Sequence, residues 1–180
     1  MHQTLETERL ILRGWQRGDA ADLFAYAKNP SMAMGGWKPL ENIHQAEQLL
    51  ESFIEEGDRW AIVLKESNKV IGQLRLCPDE NRGQFSTRNS AYIINFALSE
   101  AYRGKGYMTE AVTRVAEYAF DELHIELLTA FHTPPNICSK RVLEKCGFQY
   151  EGTIPQGTER YDGQVFDSFI HSILRKRSIF

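Results

Sequence analysis

Cysteine is scarce in this sequence, and the little there is argues against two architectures. Cys77, Cys138 and Cys146 are the only three in 180 residues; an odd number without a C-x-x-C pair supports neither a disulfide framework nor a zinc site. They read as reduced, partly buried thiols. The five histidines form no H-E-x-x-H arrangement, so a catalytic metal has no support. No run of about 18 apolar residues occurs, as a membrane-spanning helix would need. The opening stretch MHQTLETERL has no apolar core of the signal-peptide kind, so a cytoplasmic protein is expected. An excess of basic charge is missing too: 21 Lys and Arg face 24 Asp and Glu, a net charge of −3. That balance speaks against direct nucleic-acid binding, which calls for a basic stripe, and the short basic tail LRKRSIF does not change it. No repeat or low-complexity linker divides the chain, so one domain over residues 1–180 is expected.

What is present is a regular alternation of patterns. ERLILR at 8–13 alternates charged and aliphatic residues and reads as a first strand. RGDAADLFAYAKNP reads as a helix with Asp19 near its start and Pro30 closing it, followed by a loop at MGGWKP. Over 42–56, Ile43, Ala46, Leu50, Phe53 and Ile54 share one helical face, and Gly57 ends it. WAIVLK and KVIGQLRLC form a hairpin around Glu66, Ser67 and Asn68, and SAYIINFAL is a third strand of that group. A helix over 108–123, a strand near 127–132, a helix near 137–146 ended by Gly147, and strands around 148–154 and 165–174 complete the chain. The order predicts an α/β protein with a mixed sheet covered by helices on both faces.

One junction stands out. In AYRGKGYMTEA, residues 101–111, a basic glycine-punctuated loop runs into the 108–123 helix, whose Met108, Ala111, Val112, Val115, Ala116, Ala119, Phe120 and Leu123 form a buried face opposite Glu110, Arg114, Glu117, Asp121 and Glu122. Gly104 and Gly106 permit positive φ and close approach to the backbone. The helix start supplies unpaired N–H groups and the positive end of the dipole, and Arg103 and Lys105 add charge. The loop suits an anion, above all a phosphate; two glycines at a strand-to-helix turn serve equally to change direction. The dinucleotide fingerprint fails, because Thr109 stands at its third glycine and LLTAF lacks the terminal acidic residue. The Walker pattern fails as well.

RGKGYM resembles the pyrophosphate-binding motif of the GCN5-related N-acetyltransferases, GNAT for short: Arg103 and Gly106 fit, and Met108 takes the final small position. TERLILR, NPSMAMGGWKPL, RGKGYMTEA and NICSKRVLEKCGFQYEG resemble, in that order, segments of the branch containing ribosomal-protein N-terminal alanine and serine acetyltransferases, so the likeness covers nearly the whole chain. The resemblance implies a mostly antiparallel central sheet of about seven strands, splayed between the fourth and fifth, with acetyl-CoA in the opening and no metal. It implies that the fourth strand around Asn95 to Leu98 holds the pantetheine arm, including Phe96, Ala97 and Leu98. It further implies that the amides of Arg103, Gly104, Lys105, Gly106, Tyr107, Met108 and Thr109 hold the pyrophosphate, and that Asn136 contacts pantetheine.

Acetyl transfer from a thioester needs a neutral amine, a polarised carbonyl and help for the departing thiolate. A strand amide near Phe96 to Leu98 would polarise the carbonyl. The Tyr that many members place four residues before the Gly-Phe pair is Leu143 here. In the branch resembled, a Ser three residues after the Asn is the usual candidate for this work, which implies Ser139 as proton donor or hydrogen-bond partner to the sulfur; Asn136 and Ser139 also suit a helix cap. The Glu that relatives carry on the fourth strand is replaced by Ile93, with Asn95 at the following Gly. Tyr92, His132, Asp167 or a water relay remain as candidate bases. Trp37 falls in the loop that in relatives lines the acceptor entrance, where it either packs or shields the acceptor. The acidic residues of ERYDGQVFD either attract a cationic amine or keep an edge soluble. The expected activity is acetyl transfer to a primary amine, a protein N-terminal α-amine or else a polyamine, amino acid or aminoglycoside-like drug. A non-catalytic acyl-CoA-binding regulator stays open as an alternative, as do monomer and homodimer.

Overall fold

The computed structural model describes residues 3–80, 82 and 91–175. Eight strands form one sheet: β1 (Leu5–Glu6), β2 (Leu10–Arg13), β3 (Arg59–Leu64), β4 (Lys69–Pro78), β5 (Ala91–Leu98), β6 (Leu127–His132), β7 (Gln149–Glu159) and β8 (Val165–Leu174). Four helices accompany them: α1 (Ala20–Ala27), α2 (Ile43–Glu56), α3 (Tyr107–Asp121) and α4 (Ile137–Lys145). The strand order is β1-β2-β3-β4-β5-β6-β8-β7, antiparallel throughout except between β5 and β6. The eighth strand is β1, which lies ahead of the first strand expected at 8–13, with Thr7 donating its amide to the Leu10 carbonyl at 3.0 Å in the turn between β1 and β2.

Two cores sandwich the sheet, as the element order predicts. On one face Met108, Val112 and Val115 of α3 and Leu143 of α4 pack with Trp60, Leu74 and Leu76; on the other, Leu23, Tyr26, Leu50 and Phe53 of α1 and α2 pack over Ala61, Val63 and Val70. The helices stop where local chemistry dictates. Asn42 caps α2 by accepting from the Gln45 amide, and Gly57 closes it at φ +63°. Helix α1 ends at Ala27, and Pro30 opens a 3-10 turn over Pro30–Gly35 instead of closing the helix. Leu123 was assigned to the buried face of α3 but lies past its end and is 40 % exposed.

Strand β7 runs five residues beyond its expected end. Its ladder with β8 breaks between Ile154, opposite Ser168, and Thr158, opposite Phe166. Pro155, which has no N–H to offer, sits in this bulge on an edge strand, the position a sheet tolerates.

The feature that positions the site is a divergence of neighbouring strands. Strands β5 and β6 pair only from Ala91 to Ile93, opposite Leu127 to Thr129. Beyond that, β5 stays with β4 as far as Leu98, while β6 follows β8 to His132. The sheet therefore opens in a V on the C-terminal side of Ile93, between the fourth and fifth of the strands recognised in the sequence.

Candidate active site

Ladder parity decides which peptide groups face the V. The Ser99 amide donates to Ile71 O at 2.8 Å, and Asp79 N donates to Ala91 O at 3.0 Å. Alternate, odd-numbered residues of β5 are thus bonded to β4, and the peptide groups of Ile94, Phe96 and Leu98 point into the opening. The Leu98 carbonyl accepts from Arg103 Nε at 3.3 Å, which ties the following loop to the strand end.

A cleft of about 340 Å³ occupies the V. Its walls are the turn from Ser31 to Trp37, the end of β5 from Phe96 to Leu98, the loop and helix start from Arg103 to Thr109, and the first two turns of α4. Phe96, Ala97, Leu98, Arg103, Gly104, Gly106, Tyr107, Met108, Thr109, Asn136 and Ser139, singled out in the sequence, meet here. Lys105 is absent from the lining: its ammonium lies over the Tyr102 ring at 5.5 Å, and its carbonyl accepts from Arg9 Nη1 at 3.1 Å.

The glycine loop has the conformation an anion requires. Gly104 and Gly106 lie at φ +76° and +84°, and no side chain caps the start of α3. The first-turn amides of Tyr107, Met108 and Thr109 thus have no intrahelical acceptor, and the helix dipole adds positive potential at the same spot. Among the described residues of the lining, Arg103, Arg141 and Lys145 are the only charged ones, and all three are cations.

Asn136 and Ser139 form the cap that their types favour: Asn136 Oδ1 accepts from the Ser139 amide at 3.2 Å. This fixes the first turn of α4 at the cleft while engaging only the serine's backbone. Leu143, where many relatives carry tyrosine, is fully buried in the core. Trp37 both lines the cleft and packs edge-on against Phe53 at 6.2 Å, so packing and acceptor-side placement coincide.

The candidate bases do not reach the cleft. Asp167 accepts from the Gln156 amide at 2.9 Å in the β7 bulge. His132 is 3 % exposed, with Nδ1 2.9 Å from the Thr133 carbonyl oxygen. Tyr92 lies at the paired base of the V. The acidic β7–β8 turn is spent on itself: Arg160 Nε donates to Asp162 at 2.8 Å, and that contact holds the Asp162 carboxyl down at about 2.

The brace beneath the glycine loop was not foreseen from the sequence. Arg9 stacks on the Tyr107 ring at 4.4 Å and pairs with Glu110, with Nε 2.7 Å from Oε2. Glu110 also accepts from Thr7 Oγ1 at 2.5 Å and from the Arg9 amide at 3.0 Å. Burial opposes ionisation of Glu110, yet the hydrogen bonds from Thr7 and Arg9 prevail and hold its carboxyl below the ordinary 4.5. Glu110 had read as solvent-facing because helical periodicity sets it opposite the apolar stripe; only the packing of β1 and β2 beside α3 reveals its partners.

Comparison with known proteins decides the family. Residues 9–149 match the model of the acetyltransferase (GNAT) domain. The chain belongs to the GNAT acetyltransferases. It is 28 % identical to an uncharacterized N-acetyltransferase p20 of Bacillus licheniformis over 97 % of each chain. It is 25 % identical to the [ribosomal protein uS5]-alanine N-acetyltransferase of Escherichia coli, across 82 % of this chain and 79 % of that one. A GNAT-family acetyltransferase from Bacillus anthracis shares the fold, with a TM-score of 0.85 at 20 % identity, over 97 % of this chain and 100 % of that chain. The protein is accordingly an acetyl-CoA-dependent acyltransferase of the N-acetyltransferase class, and this GNAT cleft fits that co-substrate on its own features: an unpaired strand edge, a nest of open amides and a lining whose charges are all positive.

Proposed function

We propose that this GNAT enzyme acetylates the α-amine of a protein N-terminus by direct transfer. The observation that carries the reading is the absence of any carboxylate among the described residues lining the cleft. Without a base, the acceptor must arrive neutral. At pH 7.5 roughly a quarter of α-amines with pKa near 8 are neutral, against about one in a thousand amines with pKa near 10.4. A lysine side chain or polyamine therefore starts at a disadvantage of more than a hundredfold, and a cationic cleft also repels a polycation.

Acetyl-CoA supplies the acetyl group as an activated thioester. Under this reading the amides from Arg103 to Thr109 hold its pyrophosphate, with Lys105 contributing through its backbone alone. The peptide groups of Phe96 pair with the pantetheine arm as a neighbouring strand would, and the Phe96 N–H is the donor for oxygen charge that develops during attack. Asn136 contacts pantetheine from the helix cap. Ser139, its hydroxyl not needed for capping, gives a proton to the departing sulfur and is reprotonated through water by the ammonium proton that the new bond releases. Tests of acceptor choice need a peptide with both a free α-amine and an internal lysine. Mass spectrometry is expected to find the acetyl group on the α-amine; transfer to the lysine would overturn the reading.

A further inference from the structure

Four polar side-chain atoms of the α1/α2 layer are buried without a hydrogen-bond partner: Trp15 Nε1, Tyr26 Oη, Ser31 Oγ and Gln73 Oε1. Trp15 belongs to the group of rings around Phe53, its own ring 5.5 Å from that one, and Tyr26 packs in the same core. Of the other two, one is in the cleft wall and one stands a strand behind it. Ser31 lines the cleft. Gln73, 4 % exposed, stands on β4 directly between Ala61 of β3 and Ala97 of β5, and Ala97 lines the cleft.

Both cross-strand neighbours of Gln73 end at a methyl group, so neither can satisfy its carboxamide. A buried amide oxygen left unpaired is destabilising, and such atoms in native proteins call for an explanation. The register supplies one. Gln73 and Ala97 form a ladder pair bonded through the odd-numbered residues of β5, one residue along from Phe96. The same face of β5 carries Ile93, where relatives resembled by this sequence have their carboxylate, and Gln73 brings a neutral polar group to that face from β4.

We propose that Gln73, one strand behind the cleft wall, is an acceptor-positioning residue whose Oε1 takes a hydrogen bond across one water from an N–H of the incoming amine, with Ser31 Oγ on the cleft wall as the direct polar contact. The inference rests on the N-terminal reading above. A neutral oxygen is suited to a neutral amine: it holds one N–H and leaves the nitrogen lone pair available for attack, and it does not favour the ammonium as a carboxylate would.

Gln73→Leu keeps the size of the side chain and removes the oxygen. The variant is expected to raise KM for a peptide with a free N-terminal alanine about tenfold, the loss of one well-made hydrogen bond. KM for acetyl-CoA should be unchanged and Tm equal or higher, since an unpaired buried oxygen has gone. A stabilised variant with an unchanged peptide KM would overturn the proposal. Should Gln73→Leu fail to fold, Ser31→Ala in the surface turn answers the same question: a severalfold rise in peptide KM supports the site, and no change removes it. Calorimetric titration of the CoA-saturated protein with that peptide separates this inference from the functional reading. Weaker binding by the variant than by the native protein supports Gln73 even if no amine is turned over; equal binding overturns it.

Discussion

Gly106 is glycine for its backbone. Its φ of +84° strains any residue with a side chain, although a Cβ there would meet nothing closer than the end of the Arg9 side chain at 3.4 Å. Gly106→Leu is expected to weaken acetyl-CoA binding at least tenfold through displaced loop amides; calorimetry with an affinity equal to the native protein's would refute the anion-loop assignment. Ser139→Ala removes only the hydroxyl, because the capping bond uses the serine amide. Turnover should fall about ten- to a hundredfold with KM for acetyl-CoA unchanged, and equal kcat would take Ser139 out of the mechanism. These residues were legible in the sequence because residue type, spacing and helix phase all point at one loop and one helix start. Gln73 was not, since only the strand register sets a polar residue of the hairpin beside the cleft wall. The glycine pattern was also silent on Lys105, whose charge is turned to Tyr102.

Among elements, the V depends on how closely β4 approaches β5. A Cβ at Gly72 would meet the Ala97 carbonyl oxygen at 2.4 Å, and that oxygen belongs to the strand that ends at the cleft. Gly72→Val is expected to destabilise the protein by about 1–3 kcal/mol and to weaken acetyl-CoA binding as well; a stability loss with unaltered affinity would show that β5 is not displaced. The brace of Thr7, Arg9 and Glu110 joins β1 and β2 to α3 and gives the loop a pH limit. Since folding lowers the Glu110 pKa beneath 4.5, its contribution is present above that value and disappears as pH falls through the depressed one. Acetyl-CoA affinity in the native protein should therefore drop more steeply below pH 4.5 than in Glu110→Gln. Helix and strand periodicity revealed these elements, their order and the opening between two strands. It could not reveal the brace, because an alternating strand and the polar side of a helix each look solvated until they are packed together.

At the scale of the whole molecule, the sheet beyond the V contains a buried imidazole pair. His132 on β6 and His171 on β8 have rings 5.1 Å apart, each is 3 % exposed, and His132 Nε2 and both His171 nitrogens lack partners. Burial first, and then His132, lowers the pKa of His171 below the ordinary 6.5, with Lys140 of α4 acting in the same sense and Glu144 and Glu151 opposing. His171 contributes stability above pH 6.5 that is lost as pH falls through its lowered value. Chemical denaturation should give a lower midpoint at pH 5.5 than at pH 7.5, and His171→Phe should flatten that difference; an undiminished pH dependence would clear the pair of this role.

The measurement that tests the central claim most directly is steady-state release of CoA from acetyl-CoA with four acceptors: a free N-terminal peptide, the same peptide blocked at its N-terminus, spermidine and a single amino acid. The carboxylate-free cleft predicts release with the free peptide, none above background with the blocked one, and little with spermidine at neutral pH. Preference for spermidine would contradict the acceptor assignment, and tight acetyl-CoA binding without release to any amine would contradict catalysis by these residues.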